Sequence, residues 1–131
     1  MDIKVDHISK AYGEQQVLQD LSCVFPEGKT TCIRGRSGCG KTTLIRLLLR
    51  LDVPDKGKIE GISDRKISAV FQEDRLCENL SAASNIRLVC TETITDRELE
   101  EAYKAVALTE IWQKPVRELS GGMRRRVSIL R

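Results

Sequence analysis

Gly35-Arg36-Ser37-Gly38-Cys39-Gly40-Lys41-Thr42, followed by Thr43, is the stretch whose reading decides the fold. It has the spacing of a phosphate-binding loop: Gly, four residues, then Gly-Lys and a Ser or Thr. Several backbone N–H groups can converge on phosphate oxygens only where side-chain bulk is small, and Gly35, Gly38 and Gly40 keep it small. Lys41 adds a point charge for the terminal phosphates. The Thr42 hydroxyl is a hard oxygen donor for the Mg²⁺ that bridges them. A helix starting here directs its positive end at the same anion.

The flanks supply the context such a loop requires. Lys29-Thr30-Thr31-Cys32-Ile33-Arg34 is a β-prone run, and Leu44, Leu47, Leu48 and Leu51 recur at helical spacing. The order strand, loop, helix distinguishes the motif from a chance glycine-rich turn.

Composition narrows the class. With 131 residues, 40% hydrophobic and 31% charged, the chain reads as one globular unit. No apolar run approaches the roughly 20 residues that span a bilayer, and Met1–Asp6 lacks the apolar centre of a signal peptide. The expected location is cytoplasmic. Five cysteines, Cys23, Cys32, Cys39, Cys77 and Cys90, show no paired metal-ligand spacing and read as free thiols. Cys39 is either a small residue that fits the loop or a thiol whose modification would block it. A net charge of +3 without a concentrated basic face gives no support to nucleic-acid binding.

Around the loop, Ile3–Lys10 alternates as a half-buried strand, Ala11–Glu14 turns, and Val17–Phe25 forms a second strand. Tyr12 at the tip of this flap could stack on a purine or simply pack on the turn. Val53–Lys58 reads as a turn and Lys58–Glu60 as a short edge strand. Lys66–Phe71 reads as a strand ending at Gln72, where an uncharged amide could touch Mg²⁺ and orient a water. Ser81–Val89 reads as a helix, and Thr95–Glu98 as a capping box opening another with Leu99, Ala102, Tyr103 and Val106 inward. Trp112 reads as core and His7 as an exposed strand residue. Finally, Ser120 is a good N-cap, and Gly121 and Gly122 leave bare N–H groups at a second anion-ready helix terminus. Arg124, Arg125 and Arg126 splay around that helix, solvated, paired to neighbours or assisting its terminus.

In this order the motifs resemble the ATP-binding subunit of ABC transporters, most like the nitrate, sulfonate and taurine importer group, and the resemblance covers the whole chain. Gly35–Thr42 resembles the family's Walker A, Tyr12 its adenine-stacking aromatic, Gln72 its Q-loop glutamine, and Leu119–Met123 its signature sequence, with Met123 where Gln is usual. The implied fold is an α/β P-loop NTPase cassette: an antiparallel β-flap and a parallel core sheet (1–73), an inserted helical subdomain (74–118), then the signature and its helix (119–131). The resemblance implies that ATP is held by Tyr12, Gly35, Arg36, Ser37, Gly38, Cys39, Gly40, Lys41, Thr42 and Thr43, with Lys41 and Gln72 catalytic and Thr42 and Gln72 attending Mg²⁺. Ser120, Gly121 and Gly122 would clamp ATP on a second copy of the subunit, paired head to tail. Further implied partners are integral membrane permease subunits and an extracytoplasmic solute-binding protein, the ATPase lying peripherally at the inner membrane face.

Family members continue past this point to an Mg²⁺-binding aspartate, a catalytic glutamate and a switch histidine. On the resemblance, residues 1–131 are an incomplete cassette, expected to bind ATP, to hydrolyse it poorly alone, and to be poorly soluble with sheet edge unpaired. Two other readings are a non-transport ABC ATPase, which would call for a coiled coil or second cassette, and a regulatory fragment without turnover.

Overall fold

The first two strands pair because each carries an apolar stripe and the loop between them is two residues long. In the computed structural model, which describes residues 1–109 and 111–131, β1 (Ile3–Tyr12) and β2 (Gln15–Phe25) run antiparallel, with Tyr12 opposite Gln15 and Ile3 opposite Phe25. β3 (Lys56–Glu60) adds to the other side of β1, giving the order β2-β1-β3. Strict alternation would bury Val5, His7 and Ser9, whereas the buried residues are Val5, Ile8 and Lys10. A bulge shifts the parity: His7 and Asp20 both take positive φ, and the register slips there. Hydroxyls replace the lost ladder partners. Ser22 Oγ accepts from the His7 N–H at 2.9 Å and Ser9 Oγ from the Asp20 N–H at 3.1 Å. His7 Nδ1 lies 2.6 Å from Asp20 Oδ1, and that contact raises the imidazole pKa. His7 is thus exposed and in a strand, at its irregular point.

α1 (Lys41–Leu48) packs Leu44 and Leu47 into a core with Val5, Ile8 and Leu18. It ends in a Schellman motif: the Leu51 N–H reaches Arg46 O at 2.9 Å, the Arg50 N–H reaches Leu47 O at 3.1 Å, and Arg50 holds the left-handed conformation. Leu51, expected on the apolar face, lies beyond the helix and is exposed.

Two expectations need correction. Neither Lys29–Arg34 nor Lys66–Phe71 is a strand. A strand exists through ladder bonds to a neighbour, and among the described residues neither run has one. The ladders that do form are all antiparallel, so the parallel sheet is not expressed as pairing. Lys58–Glu60 is an edge strand as expected, beginning two residues earlier at Lys56.

The chain divides into two compact units, Met1–Ala69 and Val70–Arg131. The second is helical: α2 (Ala82–Arg87), α3 (Asp96–Ala105), a 3₁₀ turn (Val116–Glu118) and α4 (Gly121–Leu130). Local chemistry explains the starts. Ser81 Oγ accepts from the Ser84 N–H at 3.0 Å, and Thr95 and Glu98 form the full capping box. The core gathers Leu76, Ala83, Ile86, Leu99, Tyr103, Leu108, Val116 and Val127, with Trp112 partly buried against it. Asn85 is fully buried and fully used: its Oδ1 accepts from the Cys77 N–H at 2.7 Å, and its Nδ2 donates to Cys77 O and Ser81 O, both at 3.0 Å. That staple fixes the irregular run leading into α2.

Candidate functional site

The Gly35–Thr43 loop is shaped by two glycines. Gly40 is the N-cap of α1 at φ 91°, and a Cβ there would stand 2.7 Å from Leu18 Cδ2 and 3.0 Å from Val17 O. At Gly35 a Cβ would meet Cys39 Sγ at 2.6 Å. Both positions hold the loop closely folded on itself and on β2. Because the N-cap is glycine, no side-chain oxygen satisfies the first-turn N–H groups of α1, and no acidic residue lies in that turn. These groups form a concentrated positive terminus.

Lys41 opens the helix. Its Nζ donates to the Gly35 carbonyl at 2.9 Å and the Arg36 carbonyl at 2.7 Å, and lies 3.7 Å from Cys39 Sγ. Among the described residues it has no carboxylate partner within 4 Å. The ammonium is therefore poised over the loop with its charge uncompensated. Thr42 is exposed beside it and offers a hydroxyl oxygen; Thr43 is buried. Arg36, Ser37, Gly38 and Cys39 are exposed around the rim.

Tyr12 belongs to the same unit. Its hydroxyl donates to Asp52 Oδ2 at 2.6 Å, which raises the phenol pKa, with Thr43 among the smaller, opposing influences. Sequence reasoning missed what lies beneath it. Lys10 is buried and donates to Val53 O at 2.8 Å and Asp55 Oδ1 at 3.1 Å, with Asp52 Oδ1 at 3.2 Å. Hydrogen bonds from Tyr12, Lys10 and the Val53 N–H hold the Asp52 carboxyl down at about 2. No sequence signal pointed to it, because the bulge at His7 is what turns Lys10 toward the core.

The remaining expected residues lie in the second unit. Gln72 has an exposed side chain, and its carbonyl accepts from Arg125 Nη1 at 3.1 Å; the same guanidinium binds Phe71 O. Ser120 caps α4 by accepting from the Met123 N–H at 3.3 Å. Gly121 and Gly122 are exposed, and a Cβ on either would meet nothing within 4 Å. The arginines after them are occupied. Arg124 pairs with Asp74 at 2.7 Å and Glu78 at 3.0 Å, and Arg126 donates to the Val106 and Ala107 carbonyls at 3.3 and 3.1 Å. Arg124, first among several influences, lowers the Asp74 carboxyl. The Ser128 hydroxyl donates to Asp74 O at 2.7 Å. Tyr12 and the loop thus belong to the first unit, Gln72 and the signature to the second.

Comparison with known proteins decides what these two helix starts belong to. The family described as ABC transporter matches residues 18–131. The chain belongs to the ABC transporter family. The sulfate/thiosulfate import ATP-binding protein of Gloeobacter violaceus is 34% identical over all of this chain and 42% of its own length. An aliphatic sulfonates import ATP-binding protein of Rhizobium johnstonii is 35% identical over 98% of this chain and 50% of its own. An Fe(3+) ions import ATP-binding protein of Pectobacterium atrosepticum is 32% identical over 98% of this chain and 41% of its own. This ABC chain therefore spans about half or less of the curated relatives it matches. A solved structure titled as the ATP-binding subunit of an ABC transporter superposes with a TM-score of 0.83 at 23% identity, covering 99% of this chain and 60% of that one. That likeness establishes the cassette fold, incomplete relative to the solved chain, even though no parallel ladder forms within the described residues. Among the described residues of this ABC chain, no helix is long and apolar enough to cross a membrane.

Proposed function

We propose that this chain is the nucleotide-binding part of an ATPase that energises import of a solute through a membrane transporter. The observation that supports the reading most is Lys41: a cation without a carboxylate partner among the described residues, over a glycine-shaped loop at an uncapped helix start. That arrangement is stable with carbonyl partners and better matched by phosphate oxygens. In this reading Gly38, Gly40, Lys41 and Thr42 present N–H groups to the β-phosphate, and the Lys41 ammonium neutralises charge between the β- and γ-phosphates. Arg36, Ser37, Cys39 and Thr43 complete the cradle, while Tyr12 stacks on the adenine.

In this reading the Thr42 hydroxyl and the Gln72 amide would each attend Mg²⁺, because each offers a hard, uncharged oxygen suited to a cation that keeps most of its waters. When bound, Mg²⁺ supplies neutralisation of the β/γ charge as the γ-phosphoryl group leaves. Gln72 orients the attacking water. On a second, head-to-tail copy, the Ser120 hydroxyl and the N–H groups of Gly121 and Gly122 close over the γ-phosphate, so closure requires two chains and two nucleotides. The second unit hands this motion to membrane permease subunits from the cytoplasmic face of the membrane, with a solute-binding protein delivering the cargo outside. Relatives named for sulfate, sulfonates and iron lie at similar identity, 34, 35 and 32%, which supports the reading that solute choice is made by other subunits.

The test is Mg-ATP hydrolysis and solute uptake by the full-length protein assembled with its membrane subunits in vesicles. The expected result is uptake dependent on ATP on the cassette side, lost in Lys41→Ala while the thermal unfolding curve is retained. ATP-independent uptake, or unchanged turnover in Lys41→Ala, would overturn the proposal.

A further inference from the structure

Tyr12 is held more firmly than an exposed aromatic at a hairpin tip requires. Its hydroxyl is anchored by Asp52 at 2.6 Å, and the Lys10 ammonium stands over the ring, 5.5 Å from its centroid. The residue nevertheless keeps 45% of its surface exposed. The anchors are themselves fixed. The Lys10 side chain is only 10% exposed and is bound to Asp52, Asp55 and the Val53 carbonyl. Asp55 also accepts the Ala11 N–H at 2.7 Å, fastening the backbone next to Tyr12. All of these acceptors lie just after the Schellman turn that ends α1. One rigid segment therefore begins at the Gly35–Thr43 loop and ends under Tyr12.

We infer that Asp52 and Lys10 are positioning residues for nucleotide recognition, presetting Tyr12 as a platform for the flat face of a purine. The inference rests on the proposed ATP-binding reading and names residues outside its motifs. Three physical points carry it. An aromatic fixed at its hydroxyl loses little rotational freedom when a base stacks on it. A cation over one face leaves the exposed surface for the base and draws electron density from the ring, which favours stacking with an electron-rich purine. A carboxylate closing a three-way network with a buried lysine does not wander, so the ring's angle is set before ligand arrives. A tyrosine merely packed on the turn would not need this network, and the phenylalanine ring alone would serve.

The experiment separates base recognition from phosphate recognition. Affinities of the full-length protein for Mg-ATP and for inorganic tripolyphosphate, which has no base, are measured for the parent, Tyr12→Phe, Asp52→Ala, Asp52→Glu and the Tyr12→Phe/Asp52→Ala double variant. The expected result is a loss of several-fold to about tenfold in ATP affinity for Tyr12→Phe and Asp52→Ala, with tripolyphosphate affinity unchanged. Asp52→Glu should recover part of the loss, and the double variant should be no worse than Asp52→Ala, because that single already breaks the one bond that Tyr12→Phe removes. Tyr12→Phe leaves the Lys10 pairs untouched, so it reports even where Asp52→Ala fails to fold. Equal losses for ATP and tripolyphosphate, fully additive losses, or an unchanged ATP affinity in Tyr12→Phe would overturn the inference while leaving the ATP-binding reading in place. A parent protein that binds tripolyphosphate and not ATP, or neither, would overturn both.

Discussion

The starts of α1 and α4 present the same physics in two constructions. Both are helix N-termini with no acidic residue in the first turn. At α1 the cap is Gly40, left-handed at φ 91°, with no side-chain oxygen, and a lysine follows. At α4 the cap is Ser120, extended at φ −63° and ψ 159°, whose hydroxyl takes the Met123 N–H, and two open glycines follow. The first is built on a left-handed conformation that glycine adopts freely and supplies its own cation. The second is a conventionally capped helix fixed by side chains, with Arg124, Arg125 and Ser128 all bound to the Phe71–Glu78 segment. On the proposed reading, the uncapped terminus with a lysine grips an anion unaided, whereas the capped terminus, its arginines already paired, meets an anion held by another copy.

The largest expected effect is on that grip. Replacing Lys41 with Ala should weaken Mg-ATP binding about ten- to a hundredfold, the range of one to two charge-assisted hydrogen bonds. Replacing Ser120 should leave binding to an isolated subunit unchanged; titration calorimetry on both variants checks the contrast. Next comes strain. Gly40→Ala puts a Cβ against Leu18 and Val17 at positive φ and should cost about 2 kcal/mol of folding stability in denaturant unfolding. Gly122→Ala meets open space and should cost little more than nothing. Ser120→Ala removes an ordinary cap and should cost about 1 kcal/mol, with Ser120→Thr largely restoring it.

The smallest effect separates the constructions by pH. Asp74 has its carboxyl lowered below its ordinary 3.8 by Arg124, so its contribution is present above that value and fades as pH falls through the lower folded value. Hydrogen-exchange protection factors of α4 amides, which take out the intrinsic pH dependence of exchange, should therefore fall on acidification below pH 4, and Arg124→Ala should abolish that sensitivity. The first turn of α1 has no carboxylate to titrate and should show none of its own. Equal acid sensitivity in both first turns would erase the distinction.

What could be read from the sequence was whatever chemistry imposes within a few residues. The Gly35–Thr43 spacing, the Thr95–Glu98 box and the Ser120 cap each bind a side chain or N–H to a neighbour no more than about a turn away, and each helix starts where those residues place it. Cross-chain pairing was not legible. Lys29–Arg34 and Lys66–Phe71 have strand-like composition, yet a strand is made by its partner. Asp52 sits 40 residues from Tyr12 and Arg124 sits 50 from Asp74, and no local pattern announces either bond. The bulge at His7 was equally hidden, because its φ of 47° is stabilised by Ser22 and Asp20 on the facing strand. The candidate loop was thus visible entire, and the parts that hold it in place were not.

The most direct test follows backbone amide resonances of the full-length protein during titration with Mg-ATP. The account predicts saturable shifts concentrated at Gly38, Gly40, Lys41 and Thr42 and lost in Lys41→Ala, with Gly121 and Gly122 moving only when a second subunit pairs. Shifts that spare the α1 start, or that survive unchanged in Lys41→Ala, would contradict it.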